Sequence, residues 1–389
     1  MASTPTNFPV VLIHGVFGYG RTRPLWNLWS PYWPEEALNT MNQNHLMVDV
    51  GALSSDHDRA CEAFYQLYGG QVDYGEDHSR EAGHNRFGAT FGATTALELY
   101  QLICAGFFGV GSNHRWVMSL VSVAGPLTGS TITHLFGLHD LQMVPYSLGH
   151  FIGAALGVWF KLHTDWPILR QIFDFKMPQW QCVNTFREIL SPYGRISSTD
   201  LAVFNLLPRE RMTRNAELIH MDKIFLVSVA TSTPLDYASI PSLYALLLVM
   251  RRHVATLHVI FDGFDRTLWG DNDGAVNLYS MLQPWASVMP DGDSESTTST
   301  SSSLSQEADV TTASKKVSAD LYRDELNELN PSDPTDHLAF ATLRRGVWYV
   351  HRVERNHMAV THFDKYSPEL FQRLFRVMAN QIETSTLAE

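Results

Sequence analysis

The sequence predicts an α/β domain built on a mostly parallel sheet with helices on both faces. Three observations predict it. Five short apolar segments read as buried strands rather than alternating surface ones. The stretches between them are long enough for crossover helices. Turns rich in glycine, or carrying an acid or a histidine, follow several strand ends, where an open α/β sheet keeps its active edge.

The first strand is Phe8-Pro-Val-Val-Leu-Ile-His-Gly15, a continuous apolar run that ends in the Gly-rich loop Val16-Phe-Gly-Tyr-Gly20. His45-Leu-Met-Val-Asp-Val50 is the second. Trp116 to Gly125 is the third, Lys223 to Ala230 the fourth and Gly346 to Val353 the fifth. His258–Asp262 is strand-like as well. Leu370, Phe371, Leu374, Phe375 and Met378 recur at helical spacing, so Ser367 to Ile382 reads as a closing helix. Thr131–Ser191 is rich in Trp, Phe, His and Leu with few strand patterns, which predicts a helical cap over residues 131–222. Residues 291–318 are dominated by Ser, Thr and Asp and cannot bury a core, so they read as a disordered surface insertion. The whole, residues 1–389, reads as a single domain.

Composition narrows the function. The 28 basic and 40 acidic residues leave a net charge of −12, which argues against nucleic acid as the main partner. Three cysteines, Cys61, Cys104 and Cys182, form no disulfide framework. The polar stretch Met1–Pro9 shows no secretory signal, and neither Phe151–Phe160 nor Ile240–Met250 has the roughly 18–20 uninterrupted apolar residues of a spanning helix. A cytoplasmic location is the expectation. Both apolar stretches would line a lipid-binding gorge or fill the core.

Two groups of residues carry chemistry. Asp273, in the turn Gly270-Asp-Asn-Asp-Gly274, and His357, after the fifth strand, have the chain order of the acid and the histidine of a hydrolase triad. His351 and His362 lie close by as rivals. Ser54-Ser-Asp-His-Asp-Arg-Ala-Cys-Glu62, Val72 to His84 and Ser198-Thr-Asp200 supply histidines and carboxylates of the kind that make a tetrahedral zinc set. Polar surface loops would look the same.

These motifs, in this order, resemble the thermoalkalophilic bacterial lipases that carry a structural zinc. The matching text is His14-Gly15, Leu53 to Ala63, Gly69 to Gly75, His84-Asn-Arg-Phe-Gly88, Ala124-Gly-Pro-Leu-Thr-Gly-Ser130, Asp174 to Trp180, Ser198-Thr-Asp200, Asn272-Asp-Gly274 and Asn356-His357, spread over nearly the whole chain. The resemblance implies an α/β-hydrolase-like fold, hydrolysis of acylglycerol or other lipid esters, and a small zinc-bound subdomain at residues 55–85. Carried over by position, Asp58, His78, His84 and Asp200 fall on the zinc ligands. Asp273 and His357 fall on the triad acid and histidine, and Val16 on the first oxyanion position. Trp159, Phe160, Trp166 and Trp180 would cover an acyl pocket or simply pack the cap. The partner is a lipid or small ester, with peripheral contact to a lipid surface. The family's calcium place holds Ala359 and Asp364-Lys365 here, so calcium is not expected.

The family's nucleophile is a serine in a Gly-His-Ser-x-Gly elbow, and no Gly-x-Ser-x-Gly occurs in this chain. The closest text, Gly88-Ala-Thr-Phe-Gly92, places Thr90 on the serine and Phe91 on the second oxyanion position. Ala93 to Cys104 then reads as the following helix, with Ala96, Leu99, Tyr100 and Ile103 on one face. Only Asn85 to Ala89 separates His84 from Thr90, too little for the missing strand, which needs about five to six residues of its own. Phe87-Gly-Ala-Thr90 is repeated directly as Phe91-Gly-Ala-Thr94. Three readings stand: an isoform, deletion product or faulty gene model of an active lipase, a stable paralogue without catalysis that serves as a lipid-binding or scaffold protein, or a chain in which Thr90 or another hydroxyl is the nucleophile. A zinc-dependent hydrolase is the alternative from a different class. Losing the central strand would leave a gap in the sheet.

Overall fold

Uninterrupted apolar runs become parallel strands because both of their faces can be buried. The computed structural model describes residues 3–88, 96–182, 200–233, 241–257, 260–261, 264–286, 327–328 and 343–386. Its strands are β1 (Val10–Leu12), β2 (His45–Met47), β3 (Val72–Asp73), β4 (Phe87–Gly88), β5 (Ser119–Val123), β6 (Leu138–His139), β7 (Gln142–Met143), β8 (Phe225–Thr231), β9 (Asn327–Glu328) and β10 (Trp348–Val353). The helices are α1 (Glu35–Met41), α2 (Asp56–Tyr68), α3 (Glu76–Ala82), α4 (Ala96–Cys104), α5 (Ile132–Leu135), α6 (Leu148–Asp165), α7 (Ala202–Asn205), α8 (Pro208–Ala216), α9 (Pro241–Thr256), α10 (Arg266–Trp269), α11 (Leu278–Leu282) and α12 (Ser367–Thr386). Each of the five apolar segments contains one of the parallel strands β1, β2, β5, β8 and β10.

β8 is buried along its whole length. Its alternate residues face opposite layers, as pleating requires. Phe225, Val227 and Val229 pack with Leu370, Phe371, Leu374 and Phe375 of α12. Leu226 packs with Leu97 and Tyr100 of α4, and Ala230 with Trp269 and Leu282. Helices therefore cover both faces, as the apolar runs demand. In α4 the buried positions are Leu97, Leu99, Tyr100 and Ile103. Leu97 takes the place expected of Ala96, which is exposed. Phe375 is fully buried, so Phe375→Ala is expected to cost about 3–5 kcal/mol, read from the urea midpoint at constant slope.

The parallel strands fall into two sheets, β1-β2 and β5-β8-β10-β9. Among the described residues no strand joins β1 to β5. The gap lies where the sequence lacks a central strand. The two sheets still share their helical layers. Leu12 lies in the same core as Val227 and the α12 side chains, with Val121 and Val123 packed against it. On the other face α4 serves both sheets: Leu99 and Ile103 cluster with Val11 and Ile13, and Leu97 and Tyr100 with Leu120.

The 131–222 region is mainly helical where described but also holds the β6-β7 hairpin, which the sequence pattern did not indicate. Its turn places Asp140 and Leu141 at φ 44° and 62°. That is the primed-turn geometry usually supplied by Asn-Gly or Asp-Gly, so no turn signal stood in the sequence. Residues 291–318 and the seam residues 89–95 lie outside the described residues, as do His258, Val259 and Asp262 of the sixth strand-like segment.

Candidate active site and metal centre

β8 ends at Thr231 and β10 at Val353, and the loops beyond them bring an acid and a base together. The acid sits in a tight turn in which Asp273 N–H donates to Val276 O at 3.1 Å and Gly274 takes φ 99°. Asp273 is fully buried. Its Oδ1 accepts from the Ala275 and Val276 amides at 3.0 and 2.9 Å. Its Oδ2 accepts from Thr231 Oγ1 at 2.6 Å and lies 2.9 Å from His357 Nδ1. An ionised carboxylate only accepts, so His357 Nδ1 carries the proton and Nε2 is left with its lone pair. The His357 amide also donates to Asp273 O at 3.1 Å, which locks the two loops. Burial works against charging the His357 ring, but the Asp273 carboxylate outweighs it and the pKa is raised above the usual 6.5. Of the rival histidines, His351 is buried within β10 and His362 lies five residues beyond His357; neither is hydrogen-bonded to Asp273.

Thr231→Val removes one of the four hydrogen bonds to the Asp273 carboxylate. It is expected to cost roughly 1–3 kcal/mol, measured by chemical denaturation, because the methyl cannot replace a donor to a buried charge.

Val16 follows β1 in a loop whose neighbours are bonded on both sides: Phe17 N donates to Ala52 O at 3.1 Å and Gly18 N to Gly15 O at 2.9 Å. Among the described residues nothing accepts from the Val16 amide. Gly18 is required sterically, since a Cβ there would lie 2.6 Å from His14 Nδ1. Motif reading missed the side chains that hold this loop. Asp49 accepts from Gly20 N at 3.0 Å and Thr22 N at 3.4 Å, and Lys176 Nζ pairs with the same carboxylate. Buried His14 lies 3.5 Å from it. Burial alone would raise the Asp49 pKa, but His14 and Lys176 pull it well below the usual carboxylate range. Thr90 and Phe91 lie outside the described residues.

The second constellation forms between two helices and a distant segment. Ser55 caps α2 by accepting from Asp58 N at 3.2 Å, which fixes Asp58 in the first turn. His78 comes from α3 and His84 from the turn after it. Asp200 is drawn in by residues 200–205, whose Ala202 N donates to Leu53 O at 2.9 Å and whose Asn205 Oδ1 accepts from Asp56 N at 2.7 Å. One ligand atom from each of Asp58, His78, His84 and Asp200 lies within 4.8 Å of the other three. His78 Nε2 is 3.1 Å from Asp58 and 3.4 Å from Asp200, and His84 Nε2 is 3.4 Å from Asp58 and 3.1 Å from Asp200.

The donor set fits a divalent metal. Asn85 O, 2.9 Å from His84 Nδ1, can only accept, so the neutral ring presents the Nε2 lone pair to two carboxylates. Acceptor facing acceptor requires either a proton or a cation between them. Burial lowers the affinity of both rings for a proton, yet the hydrogen bonds they donate to Asp200 and Asp58 hold His78 at about 9 and His84 at about 10. Gln179 Nε2 donates to Asp58 Oδ2 at 2.8 Å, an outer contact of the kind that orients a ligand. His57, which motif reading passed over, stacks on His78 with ring centroids 3.8 Å apart, and Trp180 packs edge-on to His84 at 5.0 Å. Trp180 and Phe160 are core residues here, whereas Trp166 is exposed.

Several known proteins are similar to this chain. Residues 6–98 match the family described as lipase-like, C-terminal domain. Lipase 2 of Staphylococcus aureus is 37% identical over 326 residues, which cover 71% of this chain and 45% of that protein. A lipase of Staphylococcus epidermidis is 33% identical over 92 residues, 22% of this chain and 13% of that one. The chain thus spans about half the length of the curated relatives it matches. Staphylococcus hyicus lipase shares the fold with a TM-score of 0.64 at 15% identity, covering 98% of each chain. EstA from Clostridium botulinum does so with a TM-score of 0.60 at 21% identity, over 96% of this chain and 88% of that one. Family model, sequence relatives and fold point the same way: the chain is similar in sequence to bacterial lipases over part of its length and shares the fold of Staphylococcus hyicus lipase.

Proposed function

We propose that this chain carries the frame of a lipid-ester hydrolase in which Asp273 and His357 are the acid and base and Asp58, His78, His84 and Asp200 hold a structural zinc. The observation that carries the reading is the Asp273–His357 pair at the carboxyl edge of the parallel sheet, with Nε2 left to work on a substrate proton. His357 takes the proton of the attacking group and returns it to the leaving group. Asp273 holds the tautomer. By sequence position the amides of Val16 and Phe91 would be the oxyanion donors. Thr90 stands at the nucleophile position by sequence. The four protein ligands would leave a bound zinc no open position, which is the structural arrangement. It would tie the 55–85 subdomain to the 200–205 segment of the cap region. Both carboxylates and both imidazoles are occupied in that role, which speaks against a zinc-activated water.

A second reading has its own support. The gap between β1 and β5 is where the nucleophile strand would lie, which favours a lipid-binding paralogue without turnover. Hydrolysis of a p-nitrophenyl ester by the chain as written separates the two. Turnover lost in Asp273→Ala and His357→Ala supports the hydrolase, and Thr90→Ala then tests the nucleophile. A folded protein with no turnover supports the paralogue.

A further inference from the structure

Three polar residues of α2, Arg59, Glu62 and Gln66, stand on one helix face, at the spacing i, i+3, i+7. Two of them are ionisable and almost wholly buried, Arg59 at 1% exposure and Glu62 at 0%. Burying such groups is costly unless they are bonded. Here they end on backbone. Arg59 Nη2 donates to His14 O at 3.4 Å, and Glu62 Oε2 accepts from Gly51 N at 2.8 Å. Gln66 Oε1 accepts from Asp49 N at 2.9 Å, and its Nε2 donates to Asp49 O at 2.8 Å. Residues 49–52 are bonded in turn to the loop after β1. Val50 N donates to His14 Nε2 at 3.4 Å, and Ala52 O accepts from Phe17 N at 3.1 Å. Helix α2 is thus clamped to the strip of chain that holds the loop of Val16.

The same helix carries Asp58, one turn before Glu62. The second oxygen of Glu62 accepts from Tyr74 Oη at 2.9 Å, and the Tyr74 ring sits edge-on to His84 at 5.4 Å. Glu62 therefore reaches both ways, toward the four-ligand cluster through Tyr74 and toward the loop through Gly51. We propose that Glu62 is a positioning residue through which occupancy of the metal centre sets the order of the loop after β1. The two states differ at Asp58 and His84. A cation draws the ligands together, and without one the two groups are free to part, moving α2 and Tyr74. The strip at Gly51 has no slack to absorb such a shift. A Cβ there would collide with Ser54 Oγ and lie 3.1 Å from Lys176 O. Ser54 Oγ is itself tied to Asp58 Oδ2 through Gln179 Nε2, at 3.1 and 2.8 Å. A displacement at the cluster is passed on along this packed, bonded path. The proposal rests on the reading of Asp58, His78, His84 and Asp200 as zinc ligands and deepens it by giving the metal an effect on the loop of Val16. It needs no turnover, so it stands or falls apart from the catalytic assignment.

The test is amide hydrogen exchange, read residue by residue on the full chain with zinc and after chelation, well below the unfolding temperature. Chelation is expected to speed exchange at Gly51 and Phe17 together by at least about fivefold, the low end of coupling between sites. Lys223, whose amide closes an exposed turn on His220 O away from the cluster, is expected not to change. In Glu62→Leu the zinc content is expected to be unchanged, while Gly51 and Phe17 exchange fast with or without the metal. Glu62→Gln returns an acceptor to Gly51 N and is expected to return the metal dependence. Should Glu62→Leu fail to fold, the unmodified chain and Glu62→Gln still decide the matter. A zinc-loaded chain whose Gly51 and Phe17 amides ignore chelation overturns the proposal. So does a rise shared equally by Lys223, which is general loosening, or metal dependence that persists in Glu62→Leu. A chain that takes up no zinc overturns the ligand reading and this proposal with it.

Discussion

Ester turnover is expected to fall roughly ten-thousand-fold on either Asp273→Ala or His357→Ala, the cost of losing one member of a coupled triad. The two losses should not add, because each leaves the same incomplete unit. Asp273→Asn is the sharper variant. It keeps the shape of the turn, but its amide nitrogen can face His357 Nδ1 and favour the wrong tautomer. The pH profile is a second readout. His357 works as a base only when neutral, and Asp273 raises its pKa above 6.5. Activity is therefore expected to rise with pH through that raised value, and the rise should move to lower pH in Asp273→Asn. The stability linkage runs the other way. A folded pKa above the unfolded one contributes stability that is full below the unfolded value and is lost as pH rises through the folded value. Turnover that survives both alanine substitutions would sink the assignment, since no other described histidine is hydrogen-bonded to this acid.

Chelation is expected to lower the melting temperature by roughly 5 °C. A ligand at about a thousand times its Kd stabilises by ~4 kcal/mol, and each kcal/mol moves a domain of this size by a little over ~1 °C. The physical reason is the site itself. Without a cation, two carboxylates and two imidazoles crowd one another, and the charges beside Asp58 and Asp200 are those of protonated His78 and His84. His84→Ala should abolish the chelator's effect while starting from the lowered melting temperature. Scanning calorimetry with added zinc checks both. A chelator that removes turnover but leaves the melting temperature unchanged would move the metal from structure to catalysis.

Much of this was legible before any coordinates. The five strands could be read because a buried parallel strand needs nothing but a short apolar run, and such a run is local. The closing helix could be read from Leu370 to Phe375 for the same reason. Asp58, His78, His84 and Asp200 could be named only by resemblance, because spacing alone does not say which of many acids and histidines meet. The contacts then bring those four together, as they do Asp273 and His357. What stayed hidden was whatever depends on pairs distant in the chain. Asp49 and Lys176 are 127 residues apart, and nothing local marks either as the clasp of the loop after β1. His57 sits one residue from Asp58, yet only the path of α3 decides that it stacks on His78.

By itself the sequence marked the five apolar segments that hold the parallel strands β1, β2, β5, β8 and β10, the lack of text for a central strand, and an acid and a histidine in triad order. The tertiary structure alone decided the rest. Among the described residues it leaves β1-β2 and β5-β8-β10-β9 as separate sheets, because hydrogen bonding needs a neighbour at strand distance while the shared helices need only apolar contact. It also turned Gly149, Gly153 and Gly157 of α6 inward with Phe160, and left Phe151, Val158 and Leu162 outward. An apolar helix has the same periodicity whichever face it buries, and only the shape of the surface beneath it makes the choice.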